Sequence, residues 1–150
     1  MQKKPKNFDP KARYFARRFT LQAMYQWQLA ETPIAKLEAE FLTDPYIEKA
    51  DISYFRELLR GIIHKHTELD EQIKPFLDRP IESLNHIELA VLRMAVYELS
   101  QRFDIPYRVV INEALELTKQ FGTIEGYKFV NGVLDKVAKA LRPDEIQKIS

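Results

Sequence analysis

The sequence predicts an all-α protein, and three observations carry that expectation. No stretch alternates apolar and polar residues with period two for long enough to make a convincing strand. Apolar residues recur instead at three- and four-residue spacing over most of the chain. Pro33, Pro45, Pro75, Pro80, Pro106 and Pro143 stand between those segments, where helices begin or end. About seven helices result, with no internal repeat. At 150 residues the chain fits one domain with a substantial core. The expected organisation is a mobile basic arm over residues 1–10 and one helical domain over 11–150.

The arm lacks periodicity and carries Pro5 and Pro10. From Lys11 to about Ala30 the pattern turns helical, with Ala16, Phe19, Thr20, Ala23, Met24 and Trp27 on one inward stripe. Tyr14, Leu21 and Tyr25, with Arg18 beside them, form a second stripe on the opposite side, which needs cover from a neighbouring helix or a partner. Thr32 and Pro33 open a short helix that runs to about Leu42. Asp51 caps a long amphipathic helix whose apolar stripe is Ile52, Phe55, Leu58, Leu59, Ile62, Ile63, His66 and Leu69. Pro75 and Pro80 bracket a break in which Phe76 and Leu77 tuck inward.

The segment Ile87–Leu99 is expected at the centre. Ten of its thirteen residues are apolar and point in every direction around the helix, so it must be enclosed. Glu88, Arg93 and Glu98 each then need a partner or an exit. Asn85, three residues before Glu88, marks its start as a capping box. After a short connection around Pro106, the next helix turns Val110, Ile111, Ala114, Leu117, Thr118 and Phe121 inward and ends at Gly122. A last helix from about Glu125 to Leu141 buries Tyr127, Val130, Val133, Leu134, Val137 and Leu141, and Pro143 stops it.

Composition narrows the chemistry. The chain has no cysteine, which removes disulfides, thiolate nucleophiles and cysteine-based zinc sites. No apolar run near the start resembles a signal peptide and none is long enough to span a membrane, so the expected compartment is the cytoplasm. His64 and His66 lie about 200° apart around a helix and do not share a metal ion. Glu113 and Glu116 fit the wet face of an amphipathic helix better than an acid–base pair. Phosphate-binding loop, dinucleotide fingerprint and nucleophile elbow are all missing, so no catalytic residue, metal site or cofactor is expected.

What remains concerns binding. Residues 1–18 carry Lys3, Lys4, Lys6, Lys11, Arg13, Arg17 and Arg18 against Asp9 alone, a charge of +6, and the rest of the chain carries −5. Such an arm neutralises phosphates and such a body attracts a basic protein, although a solvated basic tail reads the same way. On the last helix Phe129 stands between Lys128 and Gly132. The ring either stacks an unpaired base, or packs on a neighbouring helix that Gly132 lets come close.

Five stretches carry a family resemblance: ARRFTLQAMYQWQ (16–28), YFRELL (54–59), ELAVLRMAVYE (88–98), IPYRVVINEALELTKQF (105–121) and KFVNGVLDK (128–136). In this order and spacing, from about Lys11 to Arg142, they resemble the NusB family of bacterial transcription antitermination factors. The resemblance implies a NusB-like fold of two packed helical bundles and no catalysis. It implies pairing with the ribosomal protein NusE, binding of boxA-type single-stranded RNA, and entry into the antitermination assembly on RNA polymerase over ribosomal RNA operons.

Residue by residue, the family's arginine-rich start corresponds to Arg13 and Arg17, with Lys3, Lys4, Lys6 and Lys11 in and beside the arm. The chain departs from the family pattern at Tyr14, Phe15 and Arg18, where relatives are commonly basic, basic and acidic respectively. Phe129 matches the RNA-associated aromatic, which favours stacking. Tyr25, Glu82 and Glu88 match partner-binding positions, and Glu125 falls where an acidic residue limits RNA affinity. Two competing readings stand beside this one: a protein–protein adaptor without RNA, and the NusB-like domain of an RNA methyltransferase. The eight residues after Arg142 and the missing glycine-rich loop argue against the second.

Overall fold

The computed structural model describes residues 8–149, with side chains through Gln147. Eight α-helices and three short 3₁₀ turns make up the described residues, and there is no strand among them. They divide into two compact units, one ending at Arg60 and one beginning at Gly61. Among the described residues no helix is long and apolar enough to cross a membrane.

The first unit holds α1 (Pro10–Ala30), α2 (Ile34–Leu42), a 3₁₀ turn Ile47–Lys49 and most of α3 (Ile52–His64). Asp9 caps α1 by accepting the Lys11 N–H at 3.0 Å, and Pro10 occupies the first turn, where its missing N–H does no harm. The helix ends at Glu31, whose backbone is left-handed (φ 52°) and whose N–H returns to the Trp27 carbonyl. Asp51 caps α3 as expected, accepting the Tyr54 N–H at 3.0 Å. Each of the three helices places a phenylalanine in the core. Phe19, Phe41 and Phe55 meet with centroids 6.2–6.4 Å apart, mostly edge to face, the geometry their ring quadrupoles favour. A carboxylate ties α2 to α3: Glu38 accepts two hydrogen bonds from Arg60, at 2.8 and 2.7 Å.

The second unit is built around α5 (His86–Gln101), with α4 (His66–Ile73), α6 (Tyr107–Phe121) and α7 (Ile124–Leu141) packed against it. Every residue from Ala90 to Leu99 is buried, as a helix without a polar face requires. Asn85 accepts the Glu88 N–H at 2.8 Å. The charges on α5 have identifiable places: Arg93 forms a two-point pair with Asp70 of α4 at 2.9 and 2.8 Å, and Glu88 lies against Gly126 of α7, where a Cβ would stand 2.8 Å from Oε2.

Three sequence expectations change. The helix from Asp51 to Leu69 breaks at Lys65 into α3 and α4, and the His66 ring faces the Ile63 carbonyl at 2.8 Å; the apolar stripe nonetheless continues to buried Leu69. Pro143 does not end the helical structure but opens α8 (Pro143–Ile149), because proline suits the first turn of a helix as well as it ends one. The count is therefore eight rather than about seven among the described residues. Gly122 does end α6, yet with an extended backbone; a Cβ there would lie 2.9 Å from the Thr118 carbonyl oxygen, which is what excludes larger residues.

Arg142, between α7 and α8, secures the far end of α5. Its guanidinium donates to the carbonyls of Leu99, Ile105, Glu98 and Arg102 at 2.8–3.3 Å and pairs with Glu145. The last carbonyls of a helix and those just beyond it are short of donors, and this cation adds one to each, although Glu98 and Arg102 also accept the backbone N–H groups of Arg102 and Ile105. Glu145 in turn accepts the Tyr107 N–H at the start of α6 at 2.9 Å. Desolvation pushes the Glu145 carboxyl upward, but the Tyr107 N–H and the Arg142 guanidinium together outweigh it and leave the group below its ordinary value.

Candidate nucleic-acid interface

In the first unit the basic character is spread along the start of α1. Lys3, Lys4 and Lys6 lie outside the described residues. Lys11 is exposed. Arg13 turns toward its own unit: its guanidinium carbon lies 3.9 Å from the centre of the Tyr54 ring and 4.9 Å from that of Phe8, and Nε stands 3.6 Å from Asp51. Arg17, one turn on, is only 3% exposed. These two residues share a helix face one turn apart, and that face looks toward Tyr54. Arg13 and Arg17, which continue the basic arm onto the first turns of α1, are both drawn toward that aromatic ring.

In the second unit Phe129 is half-buried on α7, and its ring carries a cation that the sequence reading did not single out. The guanidinium carbon of Arg79 lies 4.1 Å from the ring centroid. Arg79 comes from the proline-bracketed break, is 44% exposed, and stands 3.6 Å from the exposed Asp78. Nothing approaches within 4 Å of a Cβ built at Gly132, so that glycine does not serve close helix packing. Lys128, Asn131 and Gly132 beside Phe129 in sequence are all exposed. Nearby on the same helix, Thr123 caps α7 by accepting the Gly126 N–H at 2.9 Å, with Glu125 exposed in the first turn. A cleft of about 340 Å³ opens there between Lys119, Ile124, Tyr127 and Lys128.

The residues expected to meet a protein partner come from both units. Tyr25 is 40% exposed on α1 of the first unit. Glu82 is exposed on the 3₁₀ turn Ile81–Ser83 of the second. Glu88 is 8% exposed and seated against Gly126, so its carboxylate is a packing element of the second unit rather than an outward charge. The three histidines come to no common point: His64 and His86 are exposed and His66 is held at the α3–α4 break.

Arg79 escaped notice because periodicity ranks residues within a helix and this one lies in a break. The available signal was an arginine flanked by Asp78 and Pro80 in a segment whose apolar residues already account for its inward packing. No spacing rule connects it to Phe129.

Helices throughout, with a cation resting on a partly exposed ring and open surface beside it, define an all-helical binding module. Comparison with known proteins makes this specific. The NusB family model matches residues 15–139. The chain is 53% identical over 134 residues to the transcription antitermination protein NusB of Idiomarina loihiensis, covering 89% of this chain and 96% of that protein. It is 53% identical over 133 residues to the NusB of Alcanivorax borkumensis, covering 89% of each. Among solved structures, T. maritima NusB matches with 30% identity and a TM-score of 0.77 over 97% of this chain and 99% of that one. A crystal structure of antitermination factors NusB and NusE in complex with dsRNA matches with 27% identity and a TM-score of 0.78, over 85% of this chain and 96% of that one. The chain belongs to the NusB family.

Proposed function

We propose that the chain is a transcription antitermination factor that binds boxA-type RNA together with the ribosomal protein NusE, supporting ribosomal RNA transcription. The observation that carries this reading is the family match over residues 15–139, joined to a structural neighbour that holds both NusE and RNA. The protein acts in the cytoplasm, by binding rather than catalysis and without a cofactor, as one part of the assembly on RNA polymerase.

The residues of this chain divide the work. In the first unit, exposed Lys11 and the preceding Lys3, Lys4 and Lys6 meet phosphate, a contribution that salt weakens. In the second unit, Phe129 offers a stacking ring and Arg79, seated on it, offers guanidinium donors to a phosphate or base edge. Tyr25 and Glu82 remain the candidates for NusE, joined by the acidic balance of residues 19–150. Arg17 and Glu88 are left out of these surfaces on account of their burial. A second reading, an adaptor that holds NusE without touching RNA, is favoured by the inward turn of Arg13 and Arg17.

The test is binding of labelled boxA-type RNA, single-stranded and duplex, against a scrambled control, with and without purified NusE and at two salt concentrations. An aromatic ring reads only unpaired bases, so the two RNA forms separate stacking from backbone contact. Tighter, salt-sensitive binding of the specific strand with NusE present is the expected result. Binding of NusE with no RNA preference under any condition would leave the adaptor.

A further inference from the structure

The first unit contains a further place where cations and aromatic rings come together, lined by residues not assigned above. A cleft of about 300 Å³, at the lower end of the range of ~300–1,000 Å³ typical of ligand pockets, opens between α1 and the segment that follows α2. Phe15, Arg18 and Gln22 line it from α1, and Asp44, Tyr46 and Lys49 from the other side. Lys11, Phe15, Arg18 and Gln22 follow one another at helical spacing, so the cleft continues the face on which exposed Lys11 stands.

The opposite wall is held firmly. Tyr46 donates its backbone N–H to the Asp44 carboxylate at 2.8 Å and accepts the Lys49 N–H at 3.0 Å. Tyr46 is nonetheless 63% exposed. The Lys49 ammonium lies 5.1 Å from the centre of that ring and 5.9 Å from that of Phe15. Two aromatic faces thus share one lysine, with the Arg18 guanidinium lining the same space. Asp44 lines the cleft with its carboxylate accepting the Tyr46 N–H, and Glu48 is exposed in the 3₁₀ turn.

We propose that this cleft is a nucleotide-binding site for single-stranded RNA, in which one base stacks on Tyr46 and the adjoining phosphate is met by Lys49 and Arg18. Stacking surfaces interleaved with cations are what sequence-tolerant binding of single strands requires. Binding exchanges the ammonium on the Tyr46 face for a base and moves that charge to phosphate. An acidic peptide is the other polyanion with this charge, but it makes no use of an exposed aromatic ring.

The inference rests on the RNA-binding reading, and the experiment separates the two. The full chain is titrated against a fluorescein-labelled single-stranded RNA of the boxA type over a range of salt, beside Tyr46→Ser, Arg18→Gln and Lys49→Gln, with Phe129→Ala as comparator and circular dichroism to confirm folding. Tyr46→Ser is expected to weaken binding roughly 5- to 100-fold. Each charge removal is expected to lower the salt slope by about 0.7. RNA carrying 4-thiouridine is expected to crosslink to the segment 44–49. Unchanged affinity, slope and crosslinks in folded variants, while Phe129→Ala weakens binding, would overturn the cleft and keep the RNA reading. No RNA binding by the unmodified chain, with or without purified NusE, overturns both. Binding of an oligoglutamate peptide that depends on Tyr46, with RNA indifferent to it, would overturn the proposal in favour of an acidic-peptide site.

Discussion

Each unit sets an arginine on an aromatic ring, with opposite consequences. In the first, Arg13 lies 3.9 Å over Tyr54, is flanked by Phe8 and Asp51, and keeps a side-chain exposure of 16%. In the second, Arg79 lies 4.1 Å over Phe129, at nearly the same separation, and keeps 44%. The contact is alike and the setting differs. Tyr54 is itself buried, so its arginine is drawn inside and its charge is answered there by Asp51. Phe129 is half-buried, so its arginine stays at the surface with donors to spare. A cation–π distance therefore says nothing about function until the burial of the ring is known.

The inward arginines should matter to folding and the outward ones to binding, and the largest effect expected on the inward side is at Arg142. Arg142→Ala strips donors from the carbonyls of Leu99, Ile105, Glu98 and Arg102 and leaves Glu145 without its cation, held by the Tyr107 N–H. A loss of about 3–5 kcal/mol is expected in chemical denaturation, in line with breaking a buried charge cluster. A loss under 1 kcal/mol would mean that water replaces the guanidinium and that the inward class is not structural.

On the outward side, Phe129→Ala is expected to weaken RNA binding by about 1–3 kcal/mol. Arg79→Gln is expected to lower the salt slope by about 0.7 with little change in melting temperature. Arg13→Gln should do the reverse, lowering the melting temperature and leaving the slope alone. If Arg13→Gln also reduced the slope, the two pairs would belong to one class and the comparison would fail.

How much of this was legible in the sequence depends on which residues talk to which. The enclosure of α5 and its Asn85 cap could be read from thirteen consecutive residues, because a helix without a polar face has one solution. Asp51 was equally plain, since a cap acts three residues away. The Lys65 break was not, because the apolar stripe passes through it unchanged. At the candidate site, periodicity put Phe129 at the edge of the buried stripe, where it is, but its partner Arg79 is remote in sequence and belongs to no pattern. The direction of Arg13 and Arg17 was hidden for the same reason: their charge suggested an arm, while their orientation is set by a ring on α3.

Acid should expose the smaller, third-ranked effect. Glu145 holds its proton less tightly in the folded protein than an ordinary carboxyl does, so its contribution is complete above the ordinary carboxylate range and drains away as pH falls through that range and below it. Glu145→Gln should accordingly flatten the acid limb of the stability curve while changing the RNA salt slope not at all. An unchanged acid limb would show that the Tyr107 N–H and Arg142 anchor α8 equally well with the neutral acid.

The smallest effect bears most finely on the inward face of α1. Tyr14 lies next to Arg13, its ring meets Phe15 edge to face at 5.6 Å, and its hydroxyl is buried without a hydrogen-bond partner. A buried hydroxyl left unpaired opposes folding, so Tyr14→Phe is expected to be neutral or stabilising by up to about 1 kcal/mol, because the ring packing survives and only the unmet polar atom goes. Measuring stability and RNA affinity on the same variant sharpens the division between inward and outward groups. Stability gained with affinity unchanged places Tyr14 with Arg13 among residues that serve the fold. Stability gained with affinity lost would show that the hydroxyl is kept for a bound molecule, and Tyr14 would then belong with the binding residues of α1 rather than with Arg13.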